Sequence, residues 1–176
     1  MRITGGTLCG RKVEVPDGVI RPAMDRMRES VFAILGDLSG TSFLDLFSGS
    51  GVIALEAASR GANPVDAVEM DPLKRNTLIK NVSIAPIRIS CHFMPVELYI
   101  KRGKRNFDYI FCDPPFPYRF KQQLVSSIGK SKLMEHGSIL LIHRPREDVF
   151  PDTIEQLLTL IDRREYGRSI VDFYQK

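Results

Sequence analysis

The 176-residue chain has little of what marks a secreted, membrane-spanning or metal-stapled protein. Its three cysteines, Cys9, Cys91 and Cys112, are odd in number and far apart. They fit free thiols in a reducing cytosol better than a disulfide framework. Cys91 stands beside His92 without a second pair at metal-ligand spacing, so no metal is expected. The longest purely aliphatic run, Ile139–Ile142, is far short of the ~20 residues of a membrane span. Met1-Arg2-Ile3-Thr4-Gly5-Gly6 lacks the apolar core of a signal peptide, which leaves a cytoplasmic location as the expectation. There is no internal repeat or low-complexity stretch. Neither sign of charge dominates: 25 Lys and Arg against 21 Asp and Glu leave +4. That suits a polyanionic partner without requiring one. Hydrophobic residues at 43% and charged residues at 26% are globular proportions. A chain this long buries about 70% of its unfolded surface, so a single domain needs no staple.

What the chain does have is alternation. Short apolar, β-branched runs at 42–46, 65–69, 87–91, 107–112 and 138–143 are separated by helical patterns near 51–60, 72–83, 95–101 and 118–129. This predicts βαβ units and a parallel sheet with helices on both faces. Runs such as Tyr109-Ile110-Phe111 read as strands covered on both sides. Residues 1–20 hold two short pieces, 2–4 and 12–15, split by Gly5-Gly6 and Gly10, which predict a β-hairpin arm. Met24, Met27, Val31, Phe32 and Leu35 lie at helical spacing behind Arg21-Pro22 and read as core packing. Pieces at 157–165 and 169–174, parted by Gly167, predict a closing antiparallel hairpin.

Three motifs fall where such a sheet ends. Asp45-Leu46-Phe47-Ser48-Gly49-Ser50-Gly51 joins the first strand to a helix. Its glycines allow a sharp turn and close approach to a ligand, in front of free helix N–H groups. Glu69 ends the second strand, where a carboxylate can accept both hydroxyls of a ribose. Gly49 and Gly51, with Ala54 and an acid 20 positions after Gly49, also satisfy the dinucleotide fingerprint. The pattern alone thus indicates an adenosine-bearing cofactor. Asp45 would repel a pyrophosphate and could hold the ammonium of an amino-acid cofactor; otherwise it caps its own turn.

Asp113-Pro114-Pro115-Phe116 closes the fourth strand on the same rim. Two prolines stiffen the loop and leave it rich in acceptors. Asp113 and the Pro114 carbonyl can take the two hydrogens of an exocyclic amine, and Phe116 can stack on its ring. Acceptors on both hydrogens favour pyramidalisation and free the nitrogen lone pair for attack on a methyl sulfonium.

Together these residues resemble the Rossmann-like S-adenosylmethionine-dependent methyltransferases. More closely, the chain resembles the RsmD family of small-subunit (16S) rRNA guanine-N2 methyltransferases over nearly all its length. Arg2-Ile3, Gly5-Gly6, Gly10-Arg11-Lys12, Arg21-Pro22 and Arg28-Glu29 carry that closer likeness, with Tyr166-Gly167 near the close. The resemblance implies a Rossmann-like methyltransferase fold, a mostly parallel sheet with an antiparallel last strand plus the N-terminal hairpin arm. It implies that Asp45, Phe47, Gly49 and Gly51 hold the methionine part of the cofactor, Glu69 the ribose, and Met70 the adenine. Asp113, Pro114 and Phe116 would take the target base. Two positions depart from the family pattern. Ala23-Met24 follows Arg21-Pro22 where threonine is usual, and His92-Phe93-Met94 stands where an Asp or Asn usually meets the adenine.

Basic residues of the arm and first helix (Arg11, Lys12, Arg21, Arg26, Arg28) and of the rim (Arg119, Arg144, Arg146) are expected to contact RNA. The run Lys101-Arg102, Lys104-Arg105 reads as a solvated face. The expected division is an RNA-contacting extension at 1–39 and a catalytic domain at 40–176, acting as a monomer on 16S rRNA or the assembling small subunit. Rival readings are methylation of DNA adenine or of a protein glutamine, a nicotinamide-dependent oxidoreductase, and a non-catalytic RNA-binding module. The first usually needs a separate recognition domain, for which 176 residues leave no space.

Overall fold

The computed structural model describes residues 1–15 and 22–176. Arg21 lies outside the described residues, as does the Met24 side chain. The elements run α1 (Pro22–Leu35), β1 (Phe43–Leu46), α2 (Val52–Ser59), β2 (Val65–Val68), α3 (Arg75–Val82), β3 (Ile89–His92) and α4 (Val96–Arg102). There follow β4 (Tyr109–Cys112), α5 (Lys121–Lys130), β5 (Ile139–Pro145), β6 (Thr153–Ile154), β7 (Leu158–Tyr166) and β8 (Ser169–Gln175). One eight-stranded sheet has the order β3-β2-β1-β4-β5-β8-β7-β6. β1 to β5 pair in parallel, and β5–β8, β8–β7 and β7–β6 pair antiparallel. The antiparallel part is therefore three strands, one more than the predicted closing hairpin. β6 is two residues long, too short to show a period.

Alternation along each strand sorts the core into two layers. Phe43, Phe111, Leu141 and Phe173 pack on the face that carries α1, α2 and α3. Leu44, Leu46, Ile110, Cys112, Leu140, Ile142 and Tyr174 pack on the face that carries α4 and α5. Every residue of β1 is buried, which is why it reads as a continuous apolar run around a single Asp.

The arm forms one antiparallel bridge, Arg2 to Lys12, around a 3₁₀ turn at Gly6–Leu8. No longer ladder forms, because Gly5-Gly6 and Gly10 serve the turn. Ile3, Leu8 and Val13 of the arm are buried in the same layer as α1 and α2. The Thr4 amide donates to Glu56 at 2.8 Å and the Leu8 amide to Ser59 at 2.8 Å.

Glu56 explains the fate of one expected RNA contact. It is fully buried in α2, and Arg28, 3% exposed, reaches its Oε1 at 3.2 Å. Arg60 pairs with its other oxygen, and Asp25 also pairs with Arg28. Arg28 is a buried structural cation and is corrected from the RNA-facing set. A buried acid demands a cation, and two basic residues lie within reach.

Candidate active site

The chain passes from β1 to β2 and β3 on one side, then crosses back to β4 on the other. Ligands of open α/β sheets bind beyond the strand ends at this reversal. A cleft of about 1340 Å³ opens there. Phe47, Glu69, Met70, Asp113, Pro114 and Phe116 all line it, so six of the expected site residues converge. Asp45 and Gly51 lie beneath its surface, and Gly49, half-buried, donates its amide to Glu69 in the wall.

Those three shape the turn. The two glycines have positive φ, 56° and 79°. A Cβ on Gly51 would lie 2.5 Å from Leu78 Cδ1, so this glycine serves the packing of α2 on α3. A Cβ on Gly49 would meet no side chain, so space for a ligand is left at Gly49 alone. Phe47, at φ 64°, is a bulky residue held in the left-handed region where the turn leaves β1. Asp45 is 1% exposed. Its Oδ2 accepts from Ser48 Oγ at 2.6 Å and from the Ala54 amide at 3.2 Å. Burial, with smaller contributions from nearby Asp113 and Glu69, pushes its carboxyl up to about 7. Both contacts tie the end of β1 to the turn and to the first turn of α2.

Glu69 ties two loops together. One oxygen accepts the Gly49 amide and the other the Asp71 amide, both at 2.8 Å. Each carboxylate oxygen keeps a second lone pair, enough for the two hydroxyls of a ribose. Met70 is 61% exposed at the mouth, free to cover a planar ring. His92 is turned away: its Nε2 lies 3.0 Å from Asp66, which also accepts from Tyr99 and pairs with Arg105.

The Asp113 loop is held from below. The Lys121 ammonium donates to the Phe116 and Tyr118 carbonyls at 2.8 and 2.7 Å and pairs with Asp148 at 2.8 Å. The Pro114 carbonyl carries no hydrogen bond among the described residues. The expectation overlooked His143. It lies at the carboxyl end of β5 with Nδ1 2.8 Å from Asp113 Oδ1, and Phe116 meets its ring edge-on at 5.5 Å. Its Nε2 is buried without a hydrogen-bond partner. Tyr166, Arg168 and Ser169 of the β7–β8 hairpin complete the wall and were likewise unforeseen.

The rim cations divide. Arg144 is 2% exposed and donates to Asp172 at 2.6 Å, so it is corrected to a core ion pair. Strand alternation explains this: Leu141 and His143 share one face, Ile142 and Arg144 the other. Arg146 is exposed and pairs with Glu165. Arg11, Lys12, Arg26 and Arg119 are exposed.

A glycine turn after β1, an acid ending β2 and Asp-Pro-Pro-Phe ending β4, on this strand order, define a Rossmann-like methyltransferase. The family model for Conserved hypothetical protein 95 matches residues 1–175, and the chain belongs to that family, the RsmD family of methyltransferases. It is 28% identical over 180 residues to "Ribosomal RNA small subunit methyltransferase D" of Escherichia coli K12, covering 100% of this chain and 90% of that protein. The protein of the same name from Haemophilus influenzae is 27% identical over 186 residues, with 99% and 93% covered. Among solved structures, the Escherichia coli methyltransferase yhhF superposes with a TM-score of 0.89 at 28% identity, over 100% of this chain and 97% of that one.

Proposed function

We propose that this chain transfers a methyl group from S-adenosylmethionine to the exocyclic N2 amine of a guanine in small-subunit (16S) rRNA. The observation that carries this reading is the pair of acceptors, Asp113 and the Pro114 carbonyl, in one cleft with Phe47, Glu69 and Met70. The names of the Escherichia coli and Haemophilus influenzae relatives supply the rRNA. The cleft exceeds the usual ~300–1,000 Å³ of a small-molecule site, which suits a cofactor and a base together.

The residues present fit the cofactor. Glu69 has lone pairs for the ribose, Met70 can cover the adenine, and Phe47 with the Gly49 turn can hold the methionine end. Asp45 acts through the turn it organises. Bound S-adenosylmethionine supplies an electrophilic methyl sulfonium.

The chain's own residues then prepare the amine. With Asp113 as a carboxylate, His143 Nδ1 carries a proton and donates it to Oδ1. That leaves Oδ2 and the Pro114 carbonyl to accept the two amine hydrogens. The nitrogen lone pair is thereby turned out of the ring plane. Phe116, braced by His143, stacks on the base. Asp113 Oδ2 receives the proton that the methylated nitrogen sheds. Positioning and electrostatics supply the rate. A base within paired RNA must be extruded to reach this depth.

The test is label transfer from methyl-labelled cofactor to small subunits, or their rRNA, from a strain lacking the modification. Label recovered as N2-methylguanosine is the expected result. Label in adenosine or in protein overturns the assignment.

A further inference from the structure

The active-site cleft does not end at Tyr118. Glu97 and Tyr118 also line a second cleft of about 280 Å³ between α4 and α5. Ile100, Lys101 and Ser127 of that cleft line a third, of about 570 Å³, at the far ends of the same helices. The three form one seam across the surface.

Two kinds of side chain mark this seam. The first is a row of aromatics leading outwards: Phe47 meets Tyr118 at 6.0 Å and Tyr118 meets Phe120 at 6.4 Å, each edge to face. Phe120, 62% exposed, presents a large apolar ring to solvent. The second is a cluster of cations at the far end: Lys101, Arg102, Lys104, Lys130 and Lys132. Only Lys130 has an ion-pair partner among the described residues, Glu155. Helix dipoles account for Lys101, Arg102 and Lys130, which sit in last turns. They do not account for Lys104, Lys132 or the exposed Phe120. Arg105 of the same run is absorbed by Asp66.

Aromatic faces followed by unpaired cations along a groove are the chemistry that holds single-stranded nucleic acid, with stacking for bases and ammonium groups for phosphates. Duplex RNA, read mainly through shape and backbone, has no use for Phe120. We infer that the α4–α5 seam binds the single strand flanking the extruded target nucleotide, with a base on Phe120 and phosphates on Lys101, Arg102, Lys104 and Lys132. This rests on the RNA substrate proposed above.

The test measures two things on the full chain. One is the affinity for fluorescein-labelled oligo(U) of twelve nucleotides across a salt series. The other is methyl transfer to 16S rRNA transcripts and small subunits. The variants are Phe120→Ala and the triple Lys101→Ala/Arg102→Ala/Lys104→Ala, with cofactor affinity by calorimetry reporting that each is folded. The triple variant is expected to bind oligo(U) on the order of tenfold more weakly. Its salt slope should fall by about 2, at ~0.7 per phosphate contact. Phe120→Ala is expected to lose at least about fivefold, as one stacked base would. Both should raise KM for RNA. Unchanged oligo(U) affinity, salt slope and KM in both variants of an enzyme that methylates rRNA would overturn the seam and leave the proposed activity standing. Oligo(U) binding that is lost in the variants, with no label entering any RNA, would keep the seam and remove the activity. A wild-type chain that binds no oligo(U) would overturn the seam outright.

Discussion

His143 Nδ1 stands 2.8 Å from Asp113 Oδ1, which joins the ends of β5 and β4 across the floor of the cleft. The contact fixes which oxygen of Asp113 faces the cleft. A side chain that preserves the donor should preserve the chemistry. His143→Asn, whose amide can donate from nearly the same place, should retain most of kcat. His143→Leu should lose about 10²-fold, the scale of a misplaced reacting group. Steady-state kinetics of both variants, with calorimetry showing unchanged cofactor affinity, checks this. Equal loss in the two would make His143 a packing residue only.

Asp113 itself is the acceptor. Asp113→Ala should abolish transfer, with a loss of at least about 10²–10³-fold, while cofactor binding stays near that of the unaltered chain. Single-turnover assays and calorimetry separate the two. Full activity in this variant would remove Asp113 from the mechanism.

Asp45 makes stability depend on pH. Its carboxyl is raised from 3.8 to about 7 by burial. Between those values the folded chain keeps a proton that the unfolded chain has released. Stability from this group is therefore fully present below about pH 4 and lost as pH rises through 7. A shift of about 3 units corresponds to about 4 kcal/mol. Urea unfolding between pH 5 and 8 should show the decline, and Asp45→Asn should flatten it.

The Arg28–Glu56 pair is a matter of stability and not of substrate. Replacing Glu56 strands the buried Arg28 charge, and replacing Arg28 leaves the buried Glu56 with Arg60 alone of its two cations. Arg28→Met or Glu56→Gln should cost about 3–5 kcal/mol in chemical denaturation. RNA affinity per folded molecule should not change. A stable Arg28→Met enzyme with weakened RNA binding would return Arg28 to the interface.

How much of this was legible in the sequence follows from the reach of each signal. The inner parallel strands are buried on both faces and read as continuous apolar runs, and β3 at the edge is still apolar enough that β1 to β5 were readable to within a few residues. Pro72 stands at the start of a 3₁₀ turn that precedes α3, and α5 begins at Lys121 rather than at 118. In the site, Glu69 and the Asp113 loop could be placed because strand ends share one rim. Arg28 and Arg144 misled because a basic letter does not show its partner: Glu56 and Asp172 lie 28 residues away in each case. His143 was recoverable. The alternation that buries Arg144 aims the preceding residue at Asp113.

β8 is made after every other strand, yet it lies inside the sheet between β5 and β7. Until residues 169–175 are synthesised, β5 is an unpaired edge and the wall formed by Tyr166, Arg168 and Ser169 has no backing. The β5–β8 register runs from Pro145 with Ser169 to Ile139 with Gln175, so every one of its contacts waits for the last strand. A nascent chain therefore carries the glycine turn and the Asp113 loop for a period with no finished cleft between them. Its exposed β5 edge is the point where misassembly or chaperone capture would act.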